Sequence, residues 1–552
     1  MRRYVATNGD TPGSIANRYG IEERLLLEAN PHIRGSRAIT AGTPVQIPEL
    51  PSAAAAGTLF TCPPAEPFPY LNSWVPLTPI GQMQEAEYDV LIIGTGMGGG
   101  AALWRLCQQW ADCGKKIGVI EKGGLLLQTH SWNVPTLNNE RAGRLFANPA
   151  VAYPIGRTLP QFPGAREVYA LGGRTAFWGT VSPRLRRSDF TRWPISYEEM
   201  EPYYNIAETV MKISKAYSED STITETLLER LWMNGYPEAT NSPMAVNHNP
   251  TKYGEVAASA AFSSIDFVAK ALNLAPFDLA IGACATRIFI EGGRVAAIEA
   301  KAPGGTPYYL RAKTVIVAAS ALQAPRLLLH SRIPGRAIGH YLSSHSFVVT
   351  NGLLRAPTLP EVMGTLAILV PATEEHPYQV QIQGPGPYYW YHDTDKMIQE
   401  EWGFNFFGGF GMVEPRFENR VYLEPGRPDE NGMPNIGVSF SYGPRDYAVI
   451  EQLQAAIPRI ASAAGIQLTG PEGRPDLCLL PPGADFHEHG TCRMGDNPAT
   501  SATDRYGQIH GVAGLYAAGN CVLPSIGAAN PSLTAAAAAI RTADHIVRTQ
   551  RA

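Results

Sequence analysis

Apolar and polar positions alternate along the chain with three different textures. The first 48 residues open on the extended pair Tyr4-Val5 and turn at Asn8-Gly9-Asp10-Thr11. Asp10 or Thr11 is placed to cap a helix over residues 13–19. A second helix is predicted over 22–30, with Leu25, Leu26 and Ala29 on its inner side. Ala41-Gly42-Thr43 then turns into the strand Val45-Gln46-Ile47-Pro48. This β-α-α-β order is small but coherent. Residues 51–86 are rich in alanine and proline and lack a core pattern, which predicts a semi-rigid linker.

The second texture begins at Tyr88. The apolar run Val90 to Ile93 leads into Gly94-x-Gly96-x-x-Gly99, and Ala101-Ala102-Leu103 opens a helix. Lys116-Ile-Gly-Val-Ile-Glu121 predicts the next parallel strand. A helix follows over 196–210, carrying Tyr197, Met200, Tyr203 and Tyr204 among glutamates. The stretch from Ala280 to Ile290, followed by Gly292-Gly293, reads as the start of a hairpin. Residues 309–320 return to the core as a buried strand, and a helix follows over 321–330. From 346 to 480 the pattern changes to alternating strands bearing aromatics: Tyr388 to Tyr391, Phe404 to Phe407, then runs at 419–424 and 434–440. An antiparallel sheet with one aromatic-rich face is expected. The C-terminal residues return to the first lobe: a polar turn at 487–495, a short buried strand at 515–520, and an alanine-rich helix begun by Asn530-Pro-Ser-Leu-Thr534.

A chain of 552 residues exceeds a single core, so several domains are expected. With 45 basic and 49 acidic side chains and no basic block, a nucleic-acid partner is excluded from the reading. The 46 prolines and 54 glycines accompany 45% hydrophobic residues, which implies ordered loops around a large core. Cysteines at 62, 107, 113, 284, 478, 492 and 521 show no C-x-x-C spacing. Neither a disulfide framework nor a metal site is expected, and Cys107 and Cys113 read as small buried hydrophobes. No apolar run is long enough to span a bilayer, and the first residues start a strand instead of a signal peptide. Cytoplasmic residence is the expectation. Oligomeric state is left open.

The glycine fingerprint carries chemistry. Gly94 makes the turn, Gly96 clears space for a pyrophosphate, and Gly99 lets the helix lie against the strand. The helix N-terminus offers free N–H groups to phosphate. Glu121 stands 25 residues after Gly96, where an acid meets a ribose hydroxyl. In Leu171-Gly-Gly-Arg-Thr-Ala-Phe-Trp178, the pair Gly172-Gly173 with Thr175, Phe177 and Trp178 suits backbone passing close to a flat ring system, although on these residues alone a tight loop with core aromatics is the stronger reading.

Residues 4–48 resemble a LysM module, on Tyr4, Val5, Gly9, Asp10, Thr11, Ile15, Ala16, Asn30, Gly42, Val45, Ile47 and Pro48. Pro12 departs from that family's usual Leu. The resemblance implies binding of N-acetylglucosamine polymers. From about 86 onward the chain resembles the glucose-methanol-choline (GMC) oxidoreductases, in their pyranose oxidase and sugar dehydrogenase branch. Four motifs carry it: 88–100, 172–179, Ile338 to His345, and the C-terminal pair at 487–495 and 519–534.

That resemblance implies an α/β fold: a Rossmann-like FAD-binding domain with an antiparallel-sheet (α+β) substrate domain, preceded by the small module. The corresponding division is 1–50 module, 51–86 linker, FAD-binding segments 87–200, 261–345 and 484–552, and substrate segments 201–260 and 346–483. It implies FAD-dependent oxidation of an alcohol, with the hydroxyl proton going to a base and hydride to flavin N5. The base falls on His487 and its partner on Asn530; His489 is the bland neighbour, and His340, His345 and His392 read as structural or peripheral. The FAD is expected to rest on the glycine turn, Glu121, Cys284-Ala285, Gly519-Asn520, and Pro531 with Leu533 at the last helix. Phe177 occupies the place of a flavin-linking histidine, so the FAD is expected to be non-covalent. The substrate is expected to be a carbohydrate or glycoside alcohol. A non-sugar alcohol is the rival, and O2 or another acceptor takes the electrons.

Overall fold

A computed structural model describes residues 2–35, 37–48, 73–155, 161–247, 250–251, 254–257, 260–355, 364–384, 401–426, 428–469 and 477–551. The Tyr388–Tyr391 run, His392, Cys62 and most of the expected linker lie outside the described residues. The chain forms two compact units, Met1–Leu71 and Asn72–Ala552.

In the first unit, β1 (Arg2–Val5), α1 (Pro12–Tyr19), α2 (Glu23–Ala29) and β2 (Pro44–Ile47) follow the expected order. β1 pairs antiparallel with β2, placing Tyr4 opposite Val45. Of the two candidate caps, Thr11 takes the role: its hydroxyl accepts from Ser14 N at 3.1 Å and Ser14 Oγ accepts from Thr11 N at 2.9 Å. Asp10 braces the turn instead, accepting from Tyr4 Oη and Thr7 N at 2.7 Å each. Ile15, Leu26, Ile33, Val45 and Ile47 form the core. Leu26 alone of the three expected inner residues of α2 is fully buried. The buried Asn30 ties α2 to β2, donating to Leu26 O and Gln46 O and accepting from Gln46 N.

The second unit is built on β3 (Glu87–Ile93), α3 (Met97–Gln109), β4 (Ile117–Glu121), β5 (Asp278–Ile281), β6 (Cys284–Glu291), β7 (Arg294–Lys301), β8 (Pro307–Val317) and α4 (Ser320–His330). The strands lie in the order β5-β4-β3-β8-β7-β6. β5, β4, β3 and β8 are mutually parallel, whereas β6, β7 and β8 form an antiparallel meander. The single strand expected from Ala280 onward is broken by Gly282, at φ 65°. Its first part stays parallel to β4 and its second starts the hairpin. Near-continuous apolar β3 and β4 are covered on both faces, as parallel strands require. Residues 73–86, expected as linker, pack here: Met83 is fully buried and Thr78 N donates to Leu279 O at 2.7 Å. Cys107 is buried but Cys113 is exposed, because Trp110 ends α3 and leaves Cys113 in the following turn.

The second sheet comprises β9 (Ser346–Arg355), β10 (Leu366–Val370), β11 (Tyr378–Gly384) and β12 (Glu401–Gly411), antiparallel in the order β9-β12-β11-β10. The segments 419–424 and 434–440 do not join it. As β13 (Arg420–Leu423) and β14 (Ile436–Ser439) they pair with each other, because Val421, Val438 and Phe440 bury against Phe162, Leu322 and Leu342. One face of the large sheet is closed by helix Thr222–Met233 and α5 (Pro444–Ala464), through Leu227, Leu453 and Ile457 against Ile368, Val380 and Phe407. The other face of β11 presents Gln379, Gln381 and Gln383, the alternation expected of a strand with one dry face.

β15 (Leu515–Ala517) adds to β8 in parallel, and α6 (Ser532–Arg551) closes the chain. α6 packs on α3 and on helix Tyr197–Met211 through buried alanines, among them Ala535, Ala536 and Ala539. No described helix is long and apolar enough to cross a membrane.

Candidate active site

The carboxyl ends of β3, β4 and β8 open into a cavity of about 540 Å³, whose wall is completed by Phe347, Gln381, Gln383 and Phe410 from the second sheet. Ligands of open α/β sheets bind at this end. The β3–α3 turn is held by close backbone approach. A Cβ on Gly99 would lie 1.9 Å from Gly94 O, and one on Gly98 would lie 2.6 Å from Gly519 N. At Gly96 a Cβ would meet nothing within 4 Å, so that residue faces open cavity. Gly96 is also the N-cap of α3, and no side chain caps the helix there.

Glu121 ends β4 almost buried, accepting from Thr95 N at 2.9 Å, Thr95 Oγ1 at 2.7 Å and Gly123 N at 2.8 Å. Burial pushes its pKa up, and those donors act against the shift. Thr95 Oγ1 in turn accepts from Gly172 N at 2.9 Å, and Thr175 Oγ1 donates to Gly172 O, tying the second glycine motif to the first. Gly94, Gly96, Glu121, Gly173, Thr175, Phe177, Trp178, Cys284, Ala285, Gly519 and Asn520 all line the cavity. Gly99, Gly172, Pro531 and Leu533 stand behind its wall: Gly172 faces Ile265, and Leu533 is fully buried.

At the end nearest the second sheet His487 and Asn530 come together, His487 Nε2 lying 3.4 Å from Asn530 Nδ2. Asn530 Oδ1 accepts from Gln379 Nε2 at 2.8 Å and Gln381 Nε2 at 2.7 Å. His345, expected to be structural or peripheral, instead sits behind the candidate base, with its Nδ1 2.9 Å from His487 Nδ1. The antiparallel bridge between Ser343 and His489 sets the register that brings them together. Asp485 lies 3.6 Å from His487 Nδ1 and 3.7 Å from His345 Nδ1. Its oxygens accept from Ser344 Oγ at 2.6 Å and His345 N at 2.8 Å. Burial raises the Asp485 carboxyl to about 7. Burial, then Arg174 and His489, hold the His487 imidazole down to about 3, and burial holds His345 well below its usual range.

Ligand atoms of His345, Asp485 and His487 lie within 4.8 Å of one another, the one group among the described residues whose spacing suits a metal. The two Nδ1 atoms are at hydrogen-bonding distance from each other, and both Asp485 oxygens already have donors. His489 points away, its Nδ1 3.2 Å from His487 O. Sequence reasoning also missed a buried ion pair beside the base: Arg174 donates to both oxygens of Glu488, at 3.0 and 2.6 Å. Both residues sat inside recognised motifs, but their pairing across 314 positions leaves no local signal. Glu167, raised to about 7 by burial against the pull of Arg174, accepts from Ser320 Oγ at 2.5 Å and also lines the cavity.

Two models of one family, GMC oxidoreductase, match residues 118–347 and 415–539. The chain belongs to the GMC oxidoreductases. A LysM domain model matches residues 4–48. This GMC oxidoreductase is therefore an FAD-dependent enzyme acting on CH–OH groups, with a LysM domain before its two-lobed body.

The enzyme is 29% identical over 399 residues to a C-glycoside 3-oxidase of Arthrobacter globiformis, covering 68% of this chain and 73% of that one. To 6'''-hydroxyparomomycin C oxidase of Streptomyces lividus it is 26% identical, covering 82% and 90%. To 2-methyl-1,2-propanediol dehydrogenase of Mycolicibacterium austroafricanum it is 26% identical, covering 84% and 95%. Among solved structures, pyridoxine 4-oxidase from Mesorbium loti shares the fold with a TM-score of 0.59 at 15% identity, over 83% of this chain and 99% of that one. A formate oxidase does so with a TM-score of 0.61 at 13% identity, over 84% and 98%.

The residues of the GMC cavity fit FAD. Gly96 opens a side-chain-free approach to the uncapped N-terminus of α3, which suits a pyrophosphate. Glu121 supplies a buried carboxylate at the end of the neighbouring strand.

Proposed function

We propose that the enzyme oxidises an alcohol group of a carbohydrate or glycoside to a carbonyl, with His487 accepting the hydroxyl proton at Nε2. The observation that carries this reading is the convergence of His487 Nε2 and Asn530 Nδ2 at 3.4 Å on the wall of the cavity that begins at the glycine turn. A neutral imidazole offers a lone pair to the hydroxyl proton, while an amide N–H holds the oxygen without adding charge. Bound FAD supplies the two-electron acceptor for the hydrogen leaving carbon. Arg174, near His487, works against its protonation before substrate arrives.

Gly94, Gly96, Glu121, Gly173, Thr175, Trp178, Cys284, Ala285, Gly519 and Asn520 hold the cofactor in this reading. Its attachment is non-covalent, because the phenyl ring of Phe177 on the cavity wall has no atom to form the bond. The FAD-binding lobe is assembled from 73–211, 261–345 and 484–552 and the substrate lobe from 212–260 and 346–483; the expected boundaries at 87 and 200 move because residues 73–86 and the whole helix Tyr197–Met211 pack into the first core. The substrate class is supported by relatives named for acting on glycosides, and by the neutral amides of Gln381 and Gln383 on the cavity wall. The propanediol dehydrogenase relative favours a second reading, a non-sugar alcohol with an acceptor other than O2. The LysM domain is assigned a glycan ligand on its family resemblance alone.

His487→Ala tests the mechanism. Flavin reduction under anaerobic conditions is expected to slow by about 10²–10⁴ while bound FAD is retained. A wild-type rate would place the base elsewhere. Bleaching of the flavin by glycosides, set against simple diols, separates the two substrate readings.

A further inference from the structure

The hydrogen bonds around His487 have a direction that can be worked out from one end. The carbonyl oxygen of Gly527 can only accept, and His345 Nε2 lies 3.2 Å from it. His345 therefore carries a proton on Nε2, and a neutral ring then has a lone pair on Nδ1. That lone pair faces His487 Nδ1 at 2.9 Å, so His487 must supply the proton of this bond from its own Nδ1. What remains on His487 is a lone pair at Nε2, and Asn530 Nδ2 donates toward it at 3.4 Å. Asn530 Oδ1, left as an acceptor, takes the two glutamine N–H groups. Reversing the direction would set two acceptors, His345 Nε2 and Gly527 O, against each other in a site where His345 is 1% exposed.

We infer that His345 is a positioning residue that locks His487 in the tautomer with its proton on Nδ1 and its lone pair on Nε2, toward the substrate. Asp485 does not set this tautomer. It is 3.6 Å or more from both Nδ1 atoms, and its oxygens are engaged by Ser344 and the His345 backbone. The other tautomer of His487 would present an N–H to the hydroxyl it has to deprotonate. A base held in the wrong tautomer can lose on the order of 10⁴ in rate.

This inference rests on the reading of His487 as the base, and the two fail in different ways. The test compares the FAD-loaded wild type with His345→Gln and His345→Leu. Glutamine can repeat the chain, donating from Nε2 to Gly527 O and accepting at Oε1 from His487. Leucine can do neither. ¹⁵N-histidine NMR of the oxidised holoenzymes, with the His487 signal identified by its loss in His487→Gln, reads the tautomer directly. A protonated Nδ1 and bare Nε2 are expected in the wild type and in His345→Gln. In His345→Leu the proton should shift to Nε2, and flavin reduction per bound FAD should fall on the order of 10²-fold or more; His345→Gln should stay within several-fold of wild type.

A merely structural His345 would lower the melting temperature of both variants and leave the tautomer and the rate per flavin unchanged; that result overturns the inference. So does an Nε2-protonated His487 in the wild type, a measurement that needs no variant to fold. A normal His345 series beside an undiminished His487→Ala rate would instead remove the base assignment.

Discussion

His487 has an imidazole that stays neutral far below the usual range, because its charged form would be buried beside Arg174. The sign follows from the direction of the shift: a base with a lowered pKa is competent above that value and is lost only as pH falls through it. Protonation of His487 itself should therefore take nothing from flavin reduction between pH 9 and 5, and a change near 7 would belong to the buried carboxyls Asp485 and Glu167. An imidazole at its ordinary pKa of about 6.5 would already have lost about 30-fold at pH 5. Stopped-flow reduction across that range checks the point, and an acid limb centred near 6.5 that persists in Asp485→Asn and in Glu167→Gln would contradict it. Glu488 supports the same region through charge. Its side chain is fully buried against Arg174, so Glu488→Gln strands a guanidinium that is itself largely enclosed. Breaking such a pair from one side costs about 3–5 kcal/mol, which a lowered denaturant midpoint at unchanged slope would report.

At the level of elements, the β3–α3 turn is the least forgiving part of the molecule. Gly99→Ala would drive a Cβ into the Gly94 carbonyl and prise α3 from the strand. The expected product is a protein purified with little or no flavin, read from its absorbance at the flavin band. This turn was legible in the sequence because its glycine spacing and the strand before it are local. Glu121, His487 and Asn530 were legible for a related reason: each sits in a short motif of fixed spacing. His345 was not, although it lay inside a recognised motif, because its partner is 142 positions away. Only the register of a bridge between two loops brings the two rings together. The glutamines of β11 were hidden the same way, since nothing near them in the chain shows what they face. The misplaced strands at 419–424 and 434–440 have the right local pattern. They pair with each other because their apolar faces find a separate small core.

For the whole molecule, the order of parts was readable and their boundaries were not. The run called linker up to residue 86 ends earlier, since residues 73–86 carry a buried methionine and a bond to β5. The LysM unit has its own core and its own two-stranded sheet. Removing residues 1–48 should therefore leave flavin content and turnover unchanged, whereas a cut at 86 should destabilise the FAD lobe by stripping Met83 from its core. Parallel flavin spectra and melting curves of the two truncations distinguish these outcomes. Loss of activity with the shorter cut would show that the catalytic body depends on the module.

The alanine face of α6 has a practical consequence. Asn530 stands just before a helix whose buried alanines, Ala535 to Ala539, let it lie close against α3, and an ion pair from Arg105 of α3 to Asp544 pins the contact farther along. Each residue along a helix advances about 1.5 Å and turns about 100°, and a wider side chain on that face would act as a shim, tilting the amide off its mark. Attempts to retarget the enzyme should therefore leave 532–543 untouched. The exchangeable parts are Gln383 and Phe347, which shape the cavity from the opposite sheet; Phe410 packs against the His487 and His345 rings, with centroids 5.3 and 5.8 Å away, and belongs with them. Specificity can be re-cut there while the datum from which the chemistry is measured stays fixed.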